Sequence, residues 1–302
     1  MLQSLTGTGV DAASFARNPA IHQLEAELAL RFEAAGGVTR MRVDVQQPPW
    51  KAVRAFRQAN GSALVHLHNV SGGVLAGDRL TLRINVGSGA KAQVTSTGAT
   101  RLYRHRPDSS ESRQHITLSV AEGGLLEYLP DPLIPFARSR HHQSTDVWLA
   151  DGASFFWWDV LAPGRQAMGE AFVFESLRVE TRVRSSTRPL ILENFCLEPR
   201  LRPMESVARL GNYSYLASFY AIQAGRPAAE LRELETQLSR IAHECSLPGA
   251  MIWGASALAA DGVIVRGLST TARGVPATLA RIWTAARRFL TAEEAVPPRK
   301  LR

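Results

Sequence analysis

Beginning at Leu24, the chain alternates with period two. Leu24, Ala26, Leu28, Leu30 and Phe32 fall on one side, and Glu25, Glu27 and Arg31 fall on the other, the pattern of a half-buried strand. Gly36-Gly37 turns it into a second extended run around Met41 to Val45, which Pro48-Pro49 breaks, and Leu64 to His68 begins another. Leu80, Leu82, Ile84 and Val86 alternate with Thr81, Arg83 and Asn85, and a second run covers Ala92 to Thr97. The glycines Gly87 and Gly89 between these two runs predict a hairpin-like arrangement. A Gly followed by a small residue recurs at Gly89-Ala90, Gly123-Gly124 and Gly152-Ala153, each time before an extended apolar run: AQVTSTGA, LLEYLP and SFFWWDVL. Spacings of 34 and 29 residues fit repeated β units. They are compatible with the stacked strands of a β-solenoid or with a sandwich of regular turns, and the repetition favours the first.

Further alternation covers Leu177 to Arg184 and Leu190 to Leu197. The period then lengthens. Ala228 to Cys245 puts Leu231, Leu234, Leu238 and Ile241 on one face of a helix. Pro276 suits the first turn of a second helix, whose apolar face is Leu279, Ile282, Trp283, Ala286, Phe289 and Leu290. The expected fold is mainly β, a β-helix or solenoid-like stack of strands with two C-terminal α-helices. A flexible tail is expected over 1–22, a single domain over 23–292 and a C-terminal tail over 293–302.

Composition narrows the class without altering that picture. Of 302 residues, 45% are hydrophobic and 21% charged, ordinary for a soluble globular protein. The net charge of +8 comes from scattered arginines; a solvated surface or an acidic protein partner explains it better than nucleic acid, since no nucleic-acid-binding motif accompanies it. Cys196 and Cys245 are the only cysteines, 49 positions apart, which gives no disulfide framework and suits a reducing cytosol. The N-terminus lacks a secretory pattern, and Ala250 to Ala260 is too short to span a bilayer. A cytoplasmic protein, with neither membrane nor nucleic acid as partner, is expected.

The common catalytic signatures are absent: no GxxxxGK[ST], no GxSxG and no HExxH occurs. His66 and His68 share a strand face and would need a third ligand to hold a metal, so they are weak metal candidates. The carboxylates carry more information. Asp78, Glu127, Asp159, Glu170 and Glu193 each sit in an apolar β-like run or a tight glycine corner. An unpaired buried carboxylate costs several kcal/mol or takes up a proton. Five such acids imply either a set of arginine pairs, for which Arg79, Arg101, Arg165 and Arg178 are available, or a shared acid-lined interior path for cations.

Six segments in order resemble one family: SGGVLAGDRL (71–80), GATRLYRH (98–105), LEYLPDPLIPF (126–136), WWDVLAPGRQAMGEAF (157–172), PLILENF (189–195) and IWTAARRFL (282–290). Together they are similar to the urease accessory protein UreD, also called UreH, and the resemblance runs from about Leu24 to the C-terminus. The resemblance implies a non-enzymatic maturation factor for nickel incorporation into urease. Its implied partners are UreF, through UreF the GTPase UreG, and the urease apoprotein. It implies no stably bound cofactor, with nickel in transit through an internal tunnel. Matching motif to motif, Asp78, Thr100, Asp159 and Glu193 correspond to polar residues associated with that tunnel; Glu127 and Glu170 join them from the reading of carboxylates above. Ala162-Pro163 stands where the family more usually has a Cys-Leu-type pair, and Ala137-Arg138-Ser139 replaces a Gly-Ala-Arg-type corner. The alternative expectation is a carbohydrate hydrolase or lyase using paired carboxylates across an open groove.

Overall fold

The computed structural model describes residues 23–106 and 108–298. The expected N-terminal tail lies outside the described residues. In chain order the strands are β1 (Glu25–Ala35), β2 (Val38–Gln46), β3 (Trp50–Arg57), β4 (Ala63–Asn69), β5 (Arg79–Val86), β6 (Lys91–Ser96), β7 (Thr100–Leu102), β8 (Ser112–Val120) and β9 (Leu125–Leu129). There follow β10 (Leu133–Pro135), β11 (Arg140–Leu149), β12 (Ser154–Leu161), β13 (Ser176–Ser185), β14 (Pro189–Leu197) and β15 (Tyr215–Gln223). Helix α1 (Ala228–Cys245), strands β16 (Met251–Ala257) and β17 (Gly262–Ser269), and helix α2 (Val275–Thr291) complete the chain.

These elements form two open sheets and a helical layer. Sheet 1 has the order β14-β13-β11-β8-β5-β1-β2; sheet 2 has the order β16-β17-β15-β12-β9-β6-β4-β3, with β7 and β10 paired beside it. The middle strands of each sheet are parallel, and both edges are antiparallel. The protein is therefore mainly β, as expected. Only α2 lies near the C-terminus; α1 is followed by two more strands. The hairpin expected around Gly87 and Gly89 is not formed. Strand β5 belongs to sheet 1 and β6 to sheet 2, so the chain arches across the interior there. Both strands are buried on the face toward the interior, and burying both against opposite sheets removes more apolar surface from water than pairing them would.

The recurrent glycines mark that arch. Gly89, Gly123 and Gly152 all have positive φ, and β6, β9 and β12 after them are parallel neighbours in register, with Gln93 beside Glu127 and Glu127 beside Phe156.

The middle strands of sheet 2, β6, β9 and β12, are buried on both faces. Alternate residues of β12 (Phe155, Trp157 and Leu161) join the core between the sheets. Phe156 and Val160 join a second core with α1 and α2, built on Leu234, Leu238, Ile282 and Trp283. Continuous apolar runs such as SFFWW are what a strand covered on both sides requires. Each helix then needs only one apolar stripe.

The corner before β5 depends on a close approach. A Cβ on Gly73 would sit 2.5 Å from the Arg101 carbonyl oxygen and 2.6 Å from the Tyr103 ring. Gly73→Ala is expected to destabilise the protein by about 1–3 kcal/mol, the usual range for overpacking, measurable as a lower denaturant midpoint with an unchanged slope.

Candidate functional site

The space between the sheets changes character along its length. Toward the arch its rows are apolar: Ile84, Leu118, Val147 and Val183 align across sheet 1, and Leu126, Phe155 and Ile222 across sheet 2. Toward the other end polar residues take over. One row of sheet 1 runs Leu82, Ile116, Thr145, Thr181, Glu193 and the next carries Gln114 beside Gln143. Facing them on sheet 2 are Tyr128, Trp157 and Tyr220 in one row and Asp159, Ser218 and Arg266 in the next.

Asp159 and Glu193 are brought together here, from opposite sheets. The Trp157 indole N–H donates to Asp159 at 3.1 Å, and the Tyr220 hydroxyl donates to Glu193 at 2.9 Å. The Trp157 and Tyr220 rings stack with centroids 4.8 Å apart, which fixes both donors. Burial pushes the Asp159 pKa up to about 7, with the Glu193 charge adding to the rise and the Trp157 hydrogen bond opposing it. Glu193 also pairs with Arg266 at the rim. Tyr128 and Tyr220 are both held well above the usual phenol range, first by burial and then by these acids. The cluster thus contains one carboxylate, Asp159, poised near neutrality, beside a second, Glu193, held by Tyr220 and Arg266.

Two openings flank the cluster. A cavity of about 240 Å³ is lined by Trp50, Gly73, Ser96, Thr100, Gln114 and Tyr128. A wider groove of about 630 Å³ is lined by Glu193, Ile252, Trp253, Arg266 and Leu268. Thr100 and Tyr128 therefore belong to the first opening and Glu193 to the second, with Asp159 and Tyr220 between them. Neither opening presents two carboxylates among its lining residues, so paired-acid glycoside chemistry finds no groove here.

The remaining sequence candidates lie elsewhere. Asp78 is 4% exposed and accepts the Leu75 backbone N–H at 2.8 Å; burial raises its pKa, and that bond works against the rise. It closes the glycine corner. Glu127 faces the helices, on the opposite side of sheet 2 from Asp159. There it accepts from Trp283 (2.9 Å), Arg287 (2.8 Å) and Gln93 (2.8 Å). Burial raises its pKa and the Arg287 charge pulls it back. Glu170 sits in the loop after β12, paired with Arg165 and accepting the Ala137 N–H; the hydrogen bond from Arg165 holds its pKa low. Glu127 and Glu170 are thus each occupied by an arginine. His66 is buried, edge-on to Phe56, and no group of three or more His, Cys, Asp or Glu converges as a metal site among the described residues.

Three inward residues of sheet 1 were missed. Ser139, His141 and Thr145 are each at most 1% exposed, and Ser139 Oγ, His141 Nε2 and Thr145 Oγ1 have no hydrogen-bond partner among the described residues. The Ser112 hydroxyl bonds His141 Nδ1 at 2.8 Å, and burial, reinforced by His142, drives the His141 pKa down to about 3. The imidazole is neutral. Buried polar atoms of this kind are normally satisfied by water. Period-two counting backward from Leu149 and Val147 would have placed Thr145 and His141 on this interior face.

Residues 24–302 match the family model described as UreD urease accessory protein. The chain is 40% identical over 281 residues to the urease accessory protein UreD of Herpetosiphon aurantiacus, covering 93% of this chain and 98% of that one. It is 31% identical to that of Halalkalibacterium halodurans over 88% of this chain and 95% of the other. For that of Cenarchaeum symbiosum the values are 32% identity over 72% and 75%.

Proposed function

We propose, from the premise that this chain belongs to the UreD urease accessory protein family, that it matures urease by passing nickel between its two sheets. In this reading the protein is a cytoplasmic, non-enzymatic scaffold. It acts in a complex with UreF and, through UreF, the GTPase UreG, and hands nickel to the urease apoprotein. Its alternating parallel strands form a flattened, solenoid-like stack that encloses the route.

The observation that carries the reading is the polar end of the inter-sheet space. Thr100 stands at one opening, Asp159 and Tyr220 lie inside, and Glu193 stands at the other opening. Thr145 Oγ1 and His141 Nε2 on the opposite wall, without partners among the described residues, call for water alongside. Carboxylates and water hold nickel more loosely than thiolate or a full imidazole set, and a conduit must release what it admits. Asp159 changes charge state near neutral pH, so a cation meets an adjustable partner beside Glu193. Asp78 serves the wall of the entrance corner, whereas Glu127 and Glu170 serve the frame.

Asp159→Ala combined with Glu193→Ala is expected to lower the nickel content of co-expressed urease several-fold, read by metal analysis of the purified enzyme. The complex with the accessory partners should persist on size exclusion. Normal nickel loading in the double variant overturns the conduit.

A further inference from the structure

Sheet 1 ends in an edge strand, β14, whose outward-facing side chains carry no charge. Exposed edges are normally blunted by charged side chains, proline or a cover. The opposite edge of sheet 1, β2, carries Arg40, Arg42 and Asp44, and the β3 edge of sheet 2 carries Lys51, Arg54 and Arg57. Strand β14 reads PLILENFCL. Its one charge, Glu193, is turned inward to Tyr220 and Arg266. Its other face presents Leu192, 78% exposed, with exposed Asn194 and Cys196. No strand pairs with the outer edge of β14 among the described residues.

The neighbouring surface has the chemistry of an interface. Trp148 on β11 is 44% exposed, and the Arg184 guanidinium of β13 lies 3.3 Å from its ring centroid. Tryptophan and arginine are the residue types that most often anchor protein interfaces. Arg178 and Arg184 have no carboxylate partner among the described residues, although Arg182 between them pairs with Glu180 and Asp146. This corner is therefore apolar and basic, on a chain of net charge +8.

We infer that the β14 edge, with Trp148, Arg178 and Arg184, docks an extended acidic segment of a partner protein that adds to sheet 1 as a further strand. Main-chain hydrogen bonds along β14 give affinity in such an arrangement, and flanking side chains give specificity. Leu192 meets an apolar residue of the incoming strand, and Arg178 and the Arg184–Trp148 pair, which lie one and two strands inside the edge, meet acids that the partner lays over the outer face of sheet 1. A second copy of this chain is the poorer occupant, because its own β14 edge brings no outward-facing acid to the two arginines. The inference rests on the maturation reading for the identity of the partner; the groove beside Glu193 would then open at the docked strand.

The test uses the full chain, with purified UreF and purified urease apoprotein as separate probes. Leu192→Lys and Arg184→Glu, both at exposed positions, should each weaken binding of one probe at least tenfold, and Trp148→Ala should do so for the same probe. The Arg184→Glu loss should shrink at high salt. Amides of 190–196 should gain hydrogen-exchange protection in the wild-type complex. Wild-type affinity of all three variants for both probes overturns the surface and leaves the maturation reading standing. Binding of neither probe by the wild type overturns both. Self-association of the wild type that Leu192→Lys abolishes replaces the acidic partner with a second copy and overturns the inference as stated.

Discussion

Glu127→Ala is expected to remove about 3–5 kcal/mol of stability, the usual cost of stripping one partner from a buried ion pair. Glu127 and Arg287 are 2% and 1% exposed. After the substitution the guanidinium keeps the Glu293 carboxylate and the Glu294 carbonyl but loses its most deeply buried partner. The Trp283 indole N–H and the Gln93 amide lose an acceptor at the same time. Urea unfolding should show the loss as a lower midpoint. The pair stands where β9 meets α2, so Arg287→Ala should cost a similar amount. The double substitution should cost less than the sum of the two, because the charges are removed together. Additive losses would show that the pair is not coupled.

Asp159→Asn should do the opposite. The Asp159 carboxyl has a folded pKa of about 7 against about 3.9 in the unfolded chain. Between those values the folded state binds more protons than the unfolded state, so this residue makes stability fall as pH rises through the window. Three units at 1.36 kcal/mol each set an upper limit of about 4 kcal/mol, reduced because Asp159 is only partly buried. Asparagine still accepts from the Trp157 indole and carries no charge. Asp159→Asn should therefore be the more stable protein at pH 8, by up to a few kcal/mol on that scale, and should match the wild type below pH 4. Equal stability of the two proteins at both pH values would show that Asp159 ionises freely. Under the proposed conduit, the gain would accompany a loss of nickel transfer, since there the same ionisation would supply the cation's partner.

Local pattern carried much of this fold, because it is set by which face each residue buries. Helix α1 occupies the span its 3.6-residue period predicts, and the alternation from Leu24 is β1. Other strands were hidden by their own chemistry. On β8 and β11 the first inward positions hold Gln114, His141, Gln143 and Thr145, so the apolar alternation shows only in their second halves, at Ile116, Leu118, Val120, Val147 and Leu149. Strand β3 follows the Pro48-Pro49 break and has little apolar contrast. The arch at Gly87 to Gly89 looks like a hairpin because glycine permits both; the choice is made by strands far away in sequence that cover each side. The site divides in the same way. An acid within an apolar run signals a satisfied carboxylate, but the run does not say which face of the sheet it occupies. On that point Glu127 and Asp159 part company: Asp159 has Phe155 and Trp157 on its face, and Glu127 has Leu125, Leu129 and two helices.

The tie between Glu127 and Arg287 spans 160 residues, and that of Lys91 to Glu293 spans 202. A nascent chain emerges in order, at about 5–20 residues per second, so the strands of sheet 2 leave the ribosome well before their counter-charges. Until the last helix arrives, sheet 2 carries a bare acid on a face made for burial. That acid opposes premature collapse of the half-made chain onto its neighbours. Arrival of α2 is then what seals the sheet, and a message truncated before Arg287 is expected to yield a product in which Glu127 has no counter-charge on that face.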